Sequence, residues 1–243
     1  MNFFVSIYTE VIYRPLLNGL AAAYLVFPAR DLGLAILLMT VAVRLLLHPA
    51  IARAARSQRA MTLVAPKLRE IKDRFGDQRE EQARRTMALY REHGIHPLSG
   101  CLPILVQLPV LIGLYQVFWK GIALADPGLL YPPLRVLGAF DPIAFGLIDL
   151  SARSAVLAVA AGASQLLQGA LLPQPGGGGE FERAMRWQTR YVFPAIIAFI
   201  SWSLPSALAL YWTAFNILAI VQQRWIDIKL DHERALRTHP PNA

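Results

Sequence analysis

The stretch DLGLAILLMTVAVRLLLHP, residues 31–49, decides the fold. From Leu32 to His48 it is an apolar run that is interrupted by one charge, Arg44. Asp31 can cap the start of a helix there, and Pro49 stands near its end. Because an α-helix rises about 1.5 Å per residue, about 20 apolar residues cross a hydrocarbon core about 30 Å thick. We therefore predict a first membrane-spanning helix at residues 30–50.

Two further apolar runs follow along the chain. Residues 98–120 end with Trp119 and Lys120. Both side chains suit a membrane-water boundary, because each combines an apolar body with a polar tip. Residues 154–172 form the next run, so these two segments are predicted as the second and third spans.

A last apolar stretch, residues 191–225, is too long for one helix and long enough for two short ones. Proline interrupts a helix because it lacks a backbone N–H, so Pro205 is predicted to mark the turn of a helical hairpin. The fold class that follows is an all-α integral membrane protein with five transmembrane helices.

Composition agrees with a partly lipid environment. Hydrophobic residues make up 55% of the chain, charged residues only 16%, and the mean hydropathy is +0.40. The 24 Lys and Arg residues exceed the 16 Asp and Glu residues and gather in polar segments between the apolar runs. Such segments suit an anionic membrane face or RNA. DNA is not an expected partner.

Residues 51–97 form the most basic of these segments and are predicted to be cytoplasmic, because loops rich in Lys and Arg stay on that side. Gly76 can end one helix, and Asp77 with Glu80 resembles a capping box that starts the next. Pro66 is expected to kink or restart the first arm. The prediction is a cytoplasmic helical hairpin, with the N-terminus outside and the C-terminus inside.

The N-terminal segment alternates apolar and polar residues at helical spacing, which favours an amphipathic helix lying in the membrane interface. An alternative, a spanning helix over Leu16 to Phe27, is several residues too short. The complete predicted organisation is an N-terminal amphipathic interfacial helix at 1–29, transmembrane helix 1 at 30–50, the hairpin at 51–97, helix 2 at 98–120, an extracytoplasmic loop at 121–153, helix 3 at 154–172, a cytoplasmic Gly-rich loop at 173–190, helices 4 and 5 at 191–225 and a short cytoplasmic tail at 226–243.

A charge inside the first span requires an explanation, because a guanidinium in hydrocarbon costs several kcal/mol. From Arg44 the boundary is only about 6 Å away, so the side chain can snorkel to the headgroups. The other interpretation is a wet cavity inside the bundle. Further polar side chains in the spans can line such a cavity: Thr40, Gln165, Gln168, Tyr211, Trp212, Thr213 and Asn216. Taken singly, each can also be explained by a hydrogen bond between helices.

No motif for catalysis, phosphate binding or metal binding is found. The five histidines have no carboxylate or thiol partner at metal-ligand spacing and are interpreted as surface or helix-end residues. The sequence therefore predicts neither an enzyme nor a cofactor or metal site.

Several motifs resemble those of a known family, the YidC-type membrane protein insertases of bacteria, which have relatives in mitochondria and chloroplasts. The motifs follow the family's order: DLGL at 31–34, TVAVR at 40–44, MALYREHGIHPLSGCLP at 87–103, QLP at 107–109, LY at 114–115, IDLS at 148–151, LYW at 210–212, Asn216 and Gln222-Gln223.

The resemblance implies five transmembrane helices around a hydrophilic groove that opens to the cytoplasm and to lipid, in the bacterial plasma (inner) membrane. The groove residues would be Arg44, Thr40 and Trp212, together with either Gln165 or Gln168. Tyr211 and Asn216 would lie beside them. The hairpin would receive clients through basic residues that include Arg56, Lys67, Arg84 and Arg85. Clients would be nascent membrane proteins, with the ribosome and the Sec translocon as candidate partners.

This sequence departs from the family in some respects. The large periplasmic domain of some members is absent, so it is a minimal form. The third span ends Gln168-Gly169-Ala170 where many members have a Gln-Lys pair. The tail lacks the long basic extension that some members use on ribosomes. Two other function classes stay open: a small transporter with Arg44 as counter-ion, and a structural factor for membrane-protein assembly.

Overall fold

A computed structural model describes residues 3–95, 102–121, 128–171, 184 and 186–238. This part of the chain is predominantly helical. The first helix, α1, consists of Phe3–Tyr8, a π-helical turn Thr9–Tyr13 and Arg14–Val26. It is followed by α2, Leu32–Arg74; α3, Arg79–Glu92; and α4, Leu102–Gln116, which ends in a π-helical turn Val117–Gly121. The last three helices are α5, Ala155–Leu171; α6, Phe193–Ser203, which follows a π-helical turn Gln188–Val192; and α7, Ser206–Thr238.

The segment between α4 and α5 contains the extended backbone of the described chain. A short 3-10 helix, Pro132–Leu134, precedes two antiparallel strands, β1 (Ile143–Ala144) and β2 (Ile148–Asp149). Their register pairs Ile143 with Asp149 and Ala144 with Ile148. Some residues of the predicted segments lie outside the described residues: 1–2 of the N-terminal helix, 96–97 of the hairpin, 98–101 of helix 2, 122–127 of the extracytoplasmic loop, 172 of helix 3, 173–183 and 185 of the Gly-rich loop, and 239–243 of the tail.

The all-α prediction is confirmed in its coarse form. Within the described ranges, α2 is the one helix long and apolar enough to cross a membrane by length and composition. The segments Gln107–Trp119 and Ala155–Leu171 are apolar but shorter. Five transmembrane helices therefore belong to the proposals below.

Helix α2 is longer than the predicted span. It begins at the predicted cap, where the Asp31 carboxylate accepts a hydrogen bond from the Leu34 backbone N–H at 2.8 Å. It then runs for 43 residues through Pro49 and Pro66. A change from lipid to water ends no helix, because helical backbone hydrogen bonds are internal in either solvent. Pro49 and Pro66 are both exposed, whereas Val64 and Ala65 of the same helix are buried.

The main core lies at the end of the bundle that carries residues 128–154, which we call the loop end. Buried side chains from α1, α2, α4 and α7 meet side chains from the loop itself. They include Leu17, Leu20, Leu32, Ile36, Leu114, Leu130, Leu137, Phe140, Leu150 and Tyr211. The second half of α1 thus packs into the core, while its first half exposes Phe3, Val5 and Val11.

Hydrogen bonds and a close side-chain contact hold the loop against the ends of the helices. The Asp31 carboxylate also accepts a hydrogen bond from the Phe145 N–H. The Phe145 ring lies so close to Gly33 that a Cβ there would come within 2.7 Å of it. On α7, the Ser206 N–H donates to the Ala152 carbonyl at 2.9 Å. The loop end of α2 and α7 is therefore covered by protein.

The opposite end carries the α2-α3 hairpin, and we call it the hairpin end. Val64 on α2 packs with Leu89 and Ile95 in a small core that is separate from the main one. The tail predicted at 226–243 is helical to Thr238 as part of α7. It lies against α2, since Arg59 pairs with Asp231 and Arg56 with Glu233.

Candidate functional site

Arg44 lies at the contact between α2 and α7. Its side chain is turned into the protein, and the residue is only 7% exposed. The guanidinium Nη1 donates to Gln222 Oε1 at 2.5 Å, and its carbon lies 4.1 Å from the centre of the Phe215 ring. Arg44 Nε is buried and makes no hydrogen bond to a described residue. The side chain therefore reaches α7 instead of extending away from the bundle.

Gln222 has a second partner, His48, one turn beyond Arg44 on α2. The Gln222 Nε2 atom lies 2.7 Å from His48 Nδ1, and the His48 ring lies 5.1 Å from that of Trp225. Sequence reasoning interpreted His48 as a surface or helix-end residue and used Gln222 only as part of a family motif. Their contact joins positions 174 residues apart, so no local pattern could have revealed it.

Thr40 and Tyr211 are buried, one on α2 and one on α7. The Thr40 hydroxyl donates to the Ile36 carbonyl of its own helix at 2.6 Å. The Tyr211 hydroxyl accepts from Gln107 Nε2 of α4 at 2.6 Å. Gln107 is a further polar residue that the site prediction missed.

The other face of α7 meets α5 through two hydrogen bonds. Trp212 Nε1 donates to Gln165 Oε1 at 2.9 Å. Asn216 Nδ2 donates to the Ser164 hydroxyl at 3.0 Å, and Asn216 Oδ1 is buried without a hydrogen bond to a described residue. Of the two glutamines left open by the sequence, Gln165 is the one bonded to Trp212.

The predicted polar residues are thus distributed around α7, which contacts α2, α4 and α5. Arg44 and Gln165 reach it from different sides. Several of them form hydrogen bonds between helices, which is the alternative that the sequence left open for each residue taken singly. Their chemistry is that of binding by charge and hydrogen bonds. Among the described residues no group of three or more His, Cys, Asp or Glu side chains is placed to hold a metal ion.

The four basic residues assigned to the hairpin do not form a single cluster. Arg56 pairs with Glu233 on α7, and Lys67 Nζ lies 3.5 Å from His93 Nε2. Arg84 and Arg85 both bind Glu81 on α3, at 2.8 and 2.7 Å. These two hydrogen-bond partners lower the pKa of the Glu81 carboxyl. The exposed hairpin charge is therefore partly balanced within α3.

A cavity of about 370 Å³ lies at the loop end, lined by Phe118, Trp119, Ala139, Phe140, Pro142, Ser151 and Pro205. None of the predicted site residues lines it. The loop-end cavity and the Arg44 contact are separate features of the structure.

Comparison with known proteins gives consistent results. A family model described as 60Kd inner membrane protein matches residues 24–233. A protein of Fusobacterium nucleatum named membrane protein insertase YidC is 35% identical over 196 residues, which cover 81% of this chain and 86% of that protein.

Two longer relatives carry the same name. That of Magnetococcus marinus is 36% identical over 202 residues, and that of Oleidesulfovibrio alaskensis is 33% identical over 215 residues. These matches cover 83% and 88% of this chain but only 33% and 38% of the relatives. The chain therefore spans about a third of the length of these two proteins.

Proposed function

Because the chain belongs to the 60Kd inner membrane protein family, we propose that it is a membrane protein insertase, the activity named for its relatives. It inserts nascent membrane proteins into the bacterial inner membrane and helps them fold. The observation that carries the mechanism is Arg44, a buried cation whose hydrogen-bond partner is the neutral amide of Gln222. No acidic side chain among the described residues forms an ion pair with it, and in this proposal a client supplies that partner.

The arrangement of the two ends gives the groove a direction. Residues 142–152 cover the loop end. Arg44 lies on the hairpin side of Met39, the last α2 residue that is buried in the main core. A groove lined by Arg44, Thr40 and the polar face of α7 would thus admit a client from the hairpin side. Gln165, Trp212 and Asn216 would form its wall on α5 and α7, and Gln168 is not needed for the contacts of that wall.

The physical advantage of such a groove is a shorter polar crossing. A hydrophilic client segment that enters lipid loses hydrogen bonds to water, at several kcal/mol for each unsatisfied group. Polar side chains and the Arg44 charge replace part of that loss. The client's apolar helix then moves into lipid, and the hydrophobic effect supplies the driving force. No covalent step or nucleotide is required.

We propose the hairpin as the element that first receives the client. Its surface combines exposed apolar side chains, Leu63 and Met87, with the basic side chains of Lys67 and Arg84. The ribosome and the Sec translocon are candidate partners at this end. The described tail contributes little to ribosome binding in this account, because Asp231 and Glu233 engage it with α2.

The proposed topology has five spans, with the N-terminus outside and the hairpin and C-terminus in the cytoplasm. It is tested with single cysteines on a Cys101→Ser background. Arg84 and Val136 are both exposed positions, on α3 and in the loop. An impermeant maleimide is expected to label Val136→Cys in intact spheroplasts and Arg84→Cys only after lysis. Labelling of Arg84→Cys in intact spheroplasts would overturn the topology.

The function itself is tested by complementation of a bacterium depleted of its own insertase. The chain is expected to restore growth and the membrane insertion of a single-span client. A vector expressing the Arg44→Ala chain to the same level is the control. Depleted cells in which the chain accumulates in the membrane without restoring client insertion would contradict the proposal.

A further inference from the structure

We propose that Gln222 is a positioning residue that holds the Arg44 guanidinium while leaving its charge free for a client carboxylate. His48 fixes the orientation of the Gln222 amide. This inference rests on the proposed function, since it concerns how the same groove recognises acidic clients. It adds two residues, one from each helix of the contact, to the site.

The donors and acceptors present determine how the Gln222 amide is turned. A guanidinium only donates hydrogen bonds, so the amide oxygen must face Arg44, as it does at 2.5 Å. The amide nitrogen then faces His48 Nδ1 at 2.7 Å. An amide N–H can only donate, so Nδ1 of His48 is the acceptor in this contact. Each member of the series Arg44, Gln222 and His48 thus specifies the role of the next.

The neutral partner has a consequence for the charge of the site. A carboxylate at position 222 would form an ion pair with Arg44 and cancel its positive charge at short range. An amide oxygen stabilises the guanidinium by a charge-assisted hydrogen bond but leaves the net charge unchanged. Arg44 Nε, buried and without a hydrogen bond to a described residue, retains a donor for another acceptor. The expected ligand is an Asp or Glu side chain of the client's translocated segment.

The Phe215 ring completes the arrangement by supporting the guanidinium from one face. Arg44 lies 4.1 Å from the ring centre, a distance typical of cation-π contacts. This contact, like the Gln222 amide, attracts the cation without neutralising it. Two neutral groups on α7 therefore place a cation in the bundle, which suits a site that must release its anionic ligand after each insertion.

The test is Gln222→Glu, assayed in proteoliposomes with two clients that differ only in an acidic or an uncharged translocated tail. We expect the variant to fold, because the new carboxylate gains an ion pair. Insertion of the acidic client should fall by about tenfold, the effect of losing one charge-assisted contact. Insertion of the uncharged client should stay near the wild-type rate. Equal, wild-type-like insertion of both clients by Gln222→Glu would overturn the positioning role.

Gln223→Glu is the matched control, because it adds the same charge one residue away. Gln223 Nε2 donates to Asp227 Oδ1 at 3.0 Å, so the control exchanges one hydrogen bond for a like-charge pair four residues apart, which destabilises a helix slightly. Its variant is expected to insert both clients near the wild-type rates. A loss of acidic-client insertion as large as that of Gln222→Glu would show that any negative charge on α7 suffices, and would overturn the specific role of position 222.

A second pair of variants keeps the test decisive if Gln222→Glu does not accumulate. Gln222→Asn is shorter by one methylene and withdraws the amide from Arg44 without adding charge, so selective loss of the acidic client is again expected. His48→Phe keeps a ring against Trp225 but removes the acceptor, and a smaller selective loss is expected. Wild-type behaviour of both variants would contradict the inference.

The proposed function and this inference fail in distinguishable ways. If wild-type protein inserts neither client, the insertase function fails. If wild-type protein inserts both clients and Gln222→Glu does the same, the function stands and the role of Gln222 falls.

Discussion

Replacement of Arg44 by alanine is expected to abolish most insertion of clients with acidic translocated tails while leaving the protein folded. The charge disfavours its own span by about 2.5 to 3.5 kcal/mol on insertion scales, so its removal should not reduce accumulation. At an effective dielectric constant of about 20, opposite charges about 8 Å apart attract by about 2 kcal/mol. That attraction corresponds to roughly a 30-fold loss of insertion for the acidic client. The measurement is client insertion at matched expression.

Two comparisons make the Arg44 result interpretable. Arg44→Lys keeps the charge but loses the planar fork, so activity should largely persist if attraction is the role. A snorkelling arginine would instead tolerate alanine with little change in insertion. Wild-type insertion of both acidic and uncharged clients by Arg44→Ala would therefore remove the charge from the mechanism.

Removal of the hairpin is the second change with a large expected effect. Excision of residues 62–94 with a short Gly-Ser linker should leave a stable bundle, because the main core contains no residue of this segment. Arg56 and Arg59 stay in place and keep their pairs with α7. Insertion is expected to fall by about tenfold or more. A capture element holds a client beside the groove at an effective concentration of about millimolar, and this advantage is lost.

The control for the excision keeps the hairpin but removes its charge. Lys67→Gln, Arg84→Gln and Arg85→Gln leave the buried contact of Val64 and Leu89 intact. If only the excised protein loses insertion, the apolar surface of the hairpin captures the client. If the excised protein and the triple glutamine variant lose insertion equally, the basic charge captures it. An excised protein that inserts clients at the wild-type rate would exclude the hairpin from the mechanism.

Features of the fold that depend on local chemistry were accessible from the sequence. The Asp31 cap rests on a side chain that reaches the backbone three residues on, and the structure contains that hydrogen bond. Pro205, which cannot donate to a helix, lies between α6 and α7. The continuous α2 was not anticipated, because proline lacks a backbone donor and Pro49 and Pro66 therefore look like breaks in the sequence.

The C-terminal tail is a second feature that local sequence does not predict. Residues beyond 225 look like a loose end, yet α7 continues to Thr238 beside α2. Arg59 donates to the backbone carbonyl of Asp227 and to the carboxylate of Asp231, which lie four residues apart on one face of α7. Arg59 lies more than 160 positions earlier in the chain, and nothing local identifies it as the partner of this part of α7.

The sequence predicted the charged residue of the candidate site but not the side chains that contact it. Arg44 stood out because a charge within an apolar span is costly. Gln222 and His48 did not stand out, because an amide and a helix-end imidazole are ordinary near a membrane boundary. Only folding brings them to the guanidinium, and only then does the donor and acceptor argument become available.

The proposed insertase activity requires that this chain inserts membrane proteins and does not serve as a conduit for small solutes. The most direct measurement is reconstitution of the purified chain into proteoliposomes, with a single-span client added as it is synthesised. Protease protection of the client's translocated tail, well above that in empty vesicles and without flux of a small solute, is the predicted result. Protection no greater than in empty vesicles, with solute flux through the reconstituted chain, would contradict the account.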